Sequence, residues 1–319
     1  MKERKRKTVE QMLGAKIAVN QCMKVSEKDR VLIVTDKKAD QKIVKAIKNE
    51  CLKTKAKTTV HLIEPLQTNG QEPDVNTAKL MKEYQAEFLI TSKSLSHTKA
   101  RIKACKSGAR IASMPCITKF SLIHGGLTAD YNVIKKLCLK MFFAIKNSKN
   151  IRIISENGTD FEMQFGMYDW DIDEGLYHKP GDFGNLPAGE VDTSPNDFSS
   201  KGKIIIDKMG SYGDKIEFKV REGMAYDIKG SQKMIEKINE IGERARIVAE
   251  LGIGTNPKAK VIGNVLEDEK VFGTVHIAFG NNISYGGKNK VQFHQDGIIL
   301  KPTLIADNKK LIKNGIWSI

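Results

Sequence analysis

Between residues 30 and 147 the chain alternates short, nearly continuous apolar runs with stretches whose apolar residues recur at helical spacing, and this rhythm constrains the fold most. Arg30–Asp36 (RVLIVTD), 58–63 (TTVHLI), 87–91 (EFLIT) and Arg110–Ser113 read as strands; 40–52, 76–84, 97–106 and 131–147 read as helices. A further amphipathic pattern, Val9, Met12, Leu13, Ile17, Ala18 and Cys22, predicts a helix over 8–25. Strands that lack a polar alternate face must be covered on both sides, which implies a parallel sheet between helix layers. The first strand is not followed by G-x-G-x-x-G, and no G-x-x-x-x-G-K-[ST] occurs, so neither a dinucleotide nor a P-loop site is expected.

Near residue 150 the rhythm changes. Strand-like segments punctuated by glycine follow at 151–155, 161–165, 203–207, 215–220, 224–228, 272–279, 291–300 and Thr303–Ala306, with one long helix expected over 231–251. The fold class expected is α/β: an N-terminal open parallel-sheet α/β domain over 1–149, then a β-rich α+β domain over 150–319. Charge divides in the same place. Residues 1–150 hold 31 Lys and Arg against 13 Asp and Glu, whereas 151–319 hold 22 against 25. Most basic residues of the first half are single lysines on helical patterns, the one dense run being 2–7. No nucleic-acid motif accompanies them, so nucleic acid is not an expected partner, although the basic half could steer acidic substrates.

With 40% apolar and 29% charged residues the chain is globular in composition, not disordered. No segment approaches the about 18–20 apolar residues of a membrane helix, and no apolar stretch follows the basic N-terminus as in a secretory signal. A cytoplasmic protein without membrane association is expected. Its five cysteines are widely spaced, include no C-x-x-C pair and read as core filler, Cys116 in SMPCIT included.

The residues suited to chemistry lie in the second half. In VQFHQDGIIL, His294 and Asp296 are two apart, so on a strand they share a face with backbones about 7 Å apart, and could converge on one ion. An ordinary exposed strand face is the alternative reading. In GTVHIAFG the apolar residues Val275, Ile277 and Phe279 take one face and leave His276 on the other. Imidazole with carboxylate ligands suits zinc, manganese, cobalt or iron. Glu250, at the end of the expected 231–251 helix, would oppose the helix dipole by about 0.3–1 kcal/mol, which a nearby cation would offset. Glu190 lies in NLPAGEV, a loop constrained by proline and glycine. Neither H-E-x-x-H nor G-x-S-x-G occurs.

Taken in order, NLPAGEV (185–191), AELGIGTNP (249–257), EDEKVFGTVHIAFGNN (267–282) and HQDG (294–297) resemble the motifs of the thermophilic-type metallo-aminopeptidases, the aminopeptidase T and leucyl aminopeptidase T-like family. Residues 94–118 and 127–134 resemble its shorter members. The resemblance implies a homodimeric, two-domain enzyme holding two divalent ions, Zn, Co or Mn, in its C-terminal domain. Glu190, Glu250, His276, His294 and Asp296 would be the ligands. A metal-activated water would then release N-terminal residues from a peptide or related small-molecule substrate. Glu190 and Tyr285 are the candidates for proton transfer, Tyr285 standing at a position shifted from the family's tyrosine. Asp192 replaces the family's usual aromatic residue. A second reading on the same fold is a non-haem iron(II) ring-cleaving dioxygenase of the dihydroxypyridine type, which also carries a His-x-Asp pair. Retention of all five candidate ligands favours the two-metal hydrolase.

Overall fold

The structure, a computed structural model, describes residues 13–319. The basic run 2–7 and the start of the expected 8–25 helix lie outside the described residues; from Leu13 that helix runs to Ile17 and widens into a π-helical turn, Ala18–Cys22. The first strands are β1 (Arg30–Asp36), β2 (Lys57–Ile63), β3 (Ala86–Ile90) and β4 (Arg110–Ser113). Then come β5 (Asn150–Ile154), β6 (Asp160–Gln164), β7 (Asp171–Asp173), β8 (Phe183–Asn185) and β9 (Glu190–Thr193). They are followed by β10 (Lys201–Ile206), β11 (Ile216–Arg221), β12 (Met224–Lys229) and β13 (Val248–Gly254). The last are β14 (Val275–Gly280), β15 (His294–Ile299), β16 (Thr303–Ala306), β17 (Lys309–Lys313) and β18 (Ile316–Trp317).

Two compact units result. The first takes the described residues up to Lys135 together with Glu174–Ala188 and Pro257–Lys260. Its sheet, in the order β2-β1-β3-β4-β8, is parallel throughout. Helices begin where the sequence supplies a cap: the Asp40 side chain accepts from the Lys42 amide, and Thr98 accepts from the Arg101 amide. Because β8 comes from the later half of the chain and pairs with β4, a single cut between 149 and 150 does not separate the units.

The second unit contains two antiparallel sheets, β12-β11-β10-β6-β5-β16-β17-β18 and β15-β14-β13-β9-β7. They face each other through Phe218 of β11 stacked on Phe279 of β14, ring centroids 4.4 Å apart. Gly297 of β15 is equally specific, since a Cβ there would lie 2.7 Å from Ile206 Cγ2. The chain is thus α/β, as the rhythm of its first half implies.

Two expectations need correction. The helix expected over 231–251 runs only from Gln232 to Ile241; Gly242, at φ 95°, ends it, and Val248–Gly254 is strand. From Glu250 onward the sequence alternates with period two (Glu-Leu-Gly-Ile-Gly), and its glycines disfavour helix. Glu250 therefore opposes no helix dipole. Of the cysteines, Cys22, Cys51 and Cys138 are buried, but Cys116 is exposed, on a turn at φ 52° past the end of β4. Among the described residues, no helix is long and apolar enough to cross a membrane.

One charge stands out in the parallel sheet. Glu87 of β3 lies in register between Leu32 and Ile111, two residues of the buried apolar cluster, and both its carboxyl oxygens are buried without hydrogen-bond partners. Burial pushes its carboxyl well above the ordinary 4.5. Because the folded-state value is raised, burial of the neutral group carries no charge penalty below 4.5, and stability is lost progressively as pH rises from 4.5 through the higher folded-state value. Glu87→Gln should therefore leave the thermal unfolding midpoint almost unchanged in acid and raise it progressively towards neutral pH. Parallel melting curves for the two proteins across that range would refute the assignment.

Candidate metal centre

Period-two alternation builds the site. In the five-stranded sheet Asp171 and Asp173 of β7 pair with Asp192 and Glu190 of β9, and those pair with Gly252 and Gly254 of β13. Gly252 pairs with His276 of β14, and Glu250 with Ala278; Ala278 and Gly280 pair with Asp296 and His294 of β15. Directly paired residues point to the same side of a sheet. One face thus collects Asp171, Asp173, Glu190, Asp192, Glu250, His276, His294 and Asp296. The other carries Val191, Leu251, Ile253, Val275, Ile277, Phe279 and Ile299, all buried.

Glu250 is the hub. Its Oε2 lies 2.9 Å from His294 Nε2 and its Oε1 3.1 Å from His276 Nε2. His294 Nε2 is 3.4 Å from Asp296 Oδ1. Glu250, His294 and Asp296 each offer a ligand atom, all within 4.8 Å of one another. His294 Nδ1 donates to the Asn281 carbonyl at 2.8 Å, which aims Nε2 at the two carboxylates. Glu190 stands further round: its Oε2 is 3.6 Å from His276 Nε2, and its Oε1 accepts from the wholly buried Lys270. Tyr285, on the Ile283–Tyr285 turn, donates from Oη to Asp192 Oδ2 at 2.7 Å. The sheet face therefore brings together the five expected ligands, with Tyr285 hydrogen-bonded to Asp192 among them.

Burial alone would raise the Glu250 carboxyl, but hydrogen bonds from His276 and His294 hold it well below the usual range. Burial opposes charge on His276, yet the Glu250 hydrogen bond and the Glu190 and Glu250 charges lift it to about 10. His294 moves up against burial through Asp296 and Glu250. Burial, reinforced by Glu190 and Glu250, pushes Asp192 well up, and burial pushes Glu269 up to about 8. These opposed shifts describe an excess of carboxylates using every nearby proton as a counter-charge.

Donors of this kind fit a divalent cation. Glu190 Oε2 is buried without a hydrogen-bond partner, and the oxygen and imidazole donors match the ligand preferences of zinc, manganese and iron. The arrangement suits a metal-dependent enzyme. Sequence reasoning passed over two residues here. Gly252 is required because a Cβ at that position would sit 2.0 Å from His276 Nε2; its signal was a glycine within an alternating run. Lys270 in EDEK gave none, because a lysine among acidic residues reads as solvated surface.

The family model described as NicX, 2,5-dihydroxypyridine 5,6-dioxygenase, matches residues 12–318. The 2,5-dihydroxypyridine 5,6-dioxygenase of Pseudomonas putida (strain KT2440) is 21% identical over 252 residues, spanning 72% of this chain and 70% of that protein. The solved structure of the 2,5-dihydroxypyridine dioxygenase from the same strain superposes with a TM-score of 0.81 at 18% identity, covering 96% of each chain. Wild-type AmpT from Thermus thermophilus gives 0.73 at 14% identity, covering 98% of this chain and all of that one. The aminopeptidase-T-like fold expected from the motifs is therefore present, but at that identity the likeness shows fold alone. The family match overturns the expected metallo-aminopeptidase, and with it the hydrolase and protease assignments: the five retained ligand types favour two metals by the resemblance alone, and donors of these types are equally compatible with oxidative chemistry. The chain belongs to the 2,5-dihydroxypyridine 5,6-dioxygenase family.

Proposed function

We propose that the chain is an Fe(II)-dependent ring-opening dioxygenase that inserts both atoms of O2 across the C5–C6 bond of 2,5-dihydroxypyridine or a closely related dihydroxylated N-heteroaromatic. The observation that carries this reading is the convergence of Glu250, His294 and Asp296 in a chain of this family. His276 next to Glu250 adds the second imidazole, so two histidines and a carboxylate, the ligand set of non-haem iron oxygenases, are available.

Glu250, His294 and Asp296 would hold the metal, with His276 beside them. When bound, the iron supplies the redox chemistry that lets O2 react with a closed-shell aromatic ring. The protein's own part is orientation and proton handling. The Asn281 carbonyl keeps the proton on His294 Nδ1 and leaves Nε2 for ligation. The Tyr285 hydroxyl, held by Asp192, offers a proton donor and acceptor on the same sheet face, suited to a ring hydroxyl that must lose its proton as the ring becomes electron-rich. The aliphatic back of the sheet keeps water from the strands that carry the ligands.

Anaerobic loading with Fe(II), followed by air and 2,5-dihydroxypyridine, should give equimolar O2 uptake and loss of the aromatic absorbance. Asp296→Ala should lower that rate by more than about 100-fold with unchanged circular dichroism. No oxygen uptake by the iron-loaded native protein would sink the reading. A second expectation concerns Gly252→Ala, whose methyl group must displace the His276 ring: metal affinity measured by competition with a chromophoric chelator should fall by about 10–100-fold. Native-like affinity in that variant would mean that His276 has no part in holding the ion.

A further inference from the structure

Lys270 is 0% exposed and lies among Glu190, Glu269 and Asp173. Its Nζ donates to Glu190 Oε1, stands 2.8 Å from Glu269 Oε1 and reaches within 3.8 Å of Asp173 Oδ2, so its three hydrogens face three carboxylates. A lysine is almost never fully buried unless paired, and desolvating an ammonium costs several kcal/mol before its partners offset it. An interior position surrounded by carboxylates favours a cation, and the chain supplies one from the Lys270 side chain.

The five residues that could serve two ions therefore fall into two groups. Glu250, His294 and Asp296 converge tightly and are not among the contacts of Lys270. Glu190, the carboxylate best placed to serve a second ion, already gives one oxygen to the lysine and turns the other towards His276. A dinuclear centre needs two divalent ions about 3.5–4 Å apart, sharing carboxylate oxygens. We propose that Lys270 is a tethered cation standing where a second divalent ion would lie, and that it restricts this centre to one metal. The fixed single charge balances Glu190 without offering a Lewis-acid site for a second water or substrate atom. Lys270 is thus a positioning residue that sets the nuclearity of the centre. This inference rests on the reading of Glu250, His294 and Asp296 as metal ligands.

The test is stoichiometry, independent of turnover. Native protein, Lys270→Ser, Lys270→Arg and Asp296→Ala would each be equilibrated with excess Co(II), Zn(II) or, anaerobically, Fe(II), desalted and analysed by elemental mass spectrometry. The native protein and Lys270→Arg should retain about one ion per chain, because each keeps a cation on Glu190. Lys270→Ser, with three carboxylates left around a vacated side chain, should retain about two. Two ions in the native protein, both or one lost in Asp296→Ala, would overturn the inference while leaving the ligand reading intact. One ion in folded Lys270→Ser would overturn it as well. No ion in the native protein would remove the ligand reading and the inference together. Should Lys270→Ser fail to fold, Lys270→Gln, which keeps most of the side chain without its charge, takes its place, and one ion in that folded variant would overturn the inference.

Discussion

The centre depends on one constraint, the strict two-residue alternation of five short antiparallel strands. Because β9, β13, β14 and β15 pair without slippage at the functional positions, acids and imidazoles accumulate on one side and aliphatic side chains on the other. A shift of a single residue in β15 would turn His294 and Asp296 towards the Phe218–Phe279 stack, leaving a carboxylate in an apolar core. Register is therefore held from both faces: by the packing of Val275, Ile277 and Phe279, and by the cost of burying an unpaired charge. The irregularity between Val248 and Glu250 falls just before the hub carboxylate and re-aims the strand at that point. Gly252 completes the geometry by omitting the side chain that His276 would otherwise meet.

The same alternation creates an electrostatic debt. Carboxylates crowded on one sheet face repel one another in a medium that screens poorly, and each must find a proton, a cation or a hydrogen-bond donor. In this structure the imidazoles of His276 and His294 serve Glu250 and Asp296, Lys270 serves Glu190, Glu269 and Asp173, and the Tyr285 hydroxyl serves Asp192. A divalent ion at Glu250, His294 and Asp296 would replace shared protons with a fixed charge. Those protons are the ones most easily displaced, because metal and proton compete for the same Nε2 and carboxylate oxygens. Lys270 is not displaced in this way, being tied to the chain.

How much of this was legible in the sequence depended on how each element is stabilised. The strands β1 to β4 could be read directly, since parallel strands covered on both faces become apolar runs with β-branched residues. The His-x-Asp pair was legible for the same period-two reason that makes it functional. In contrast β7 and β8, three residues each, carry Asp-Ile-Asp and Phe-Gly-Asn, too short and too polar to signal a strand; partners elsewhere in the chain define them. β13 reads as helix in the sequence because the helical pattern over 232–241 runs on into apolar residues, and only the glycines at 242, 252 and 254 mark the change. The burial of Lys270 is a tertiary property. No local pattern distinguishes an ammonium enclosed by three distant carboxylates from one in water.

That asymmetry also explains why the reaction was harder to read than the site. The motif residues specify donors, and donors with these preferences accept several first-row metals and serve hydrolytic and oxidative chemistry alike. What separates the two chemistries is how many positions around the donors are left for a metal and for reacting atoms, and what charge fills the rest. Two divalent ions clamp a water and a carbonyl between them. On the proposed reading, a single ion beside a fixed ammonium would instead offer one site for reacting atoms, with the Tyr285 hydroxyl held by Asp192 on the same sheet face. On the proposed reading the residue that most changes the chemistry would be not one of the expected ligands but the lysine beside them, which offsets carboxylate charge without giving the centre a second open coordination site.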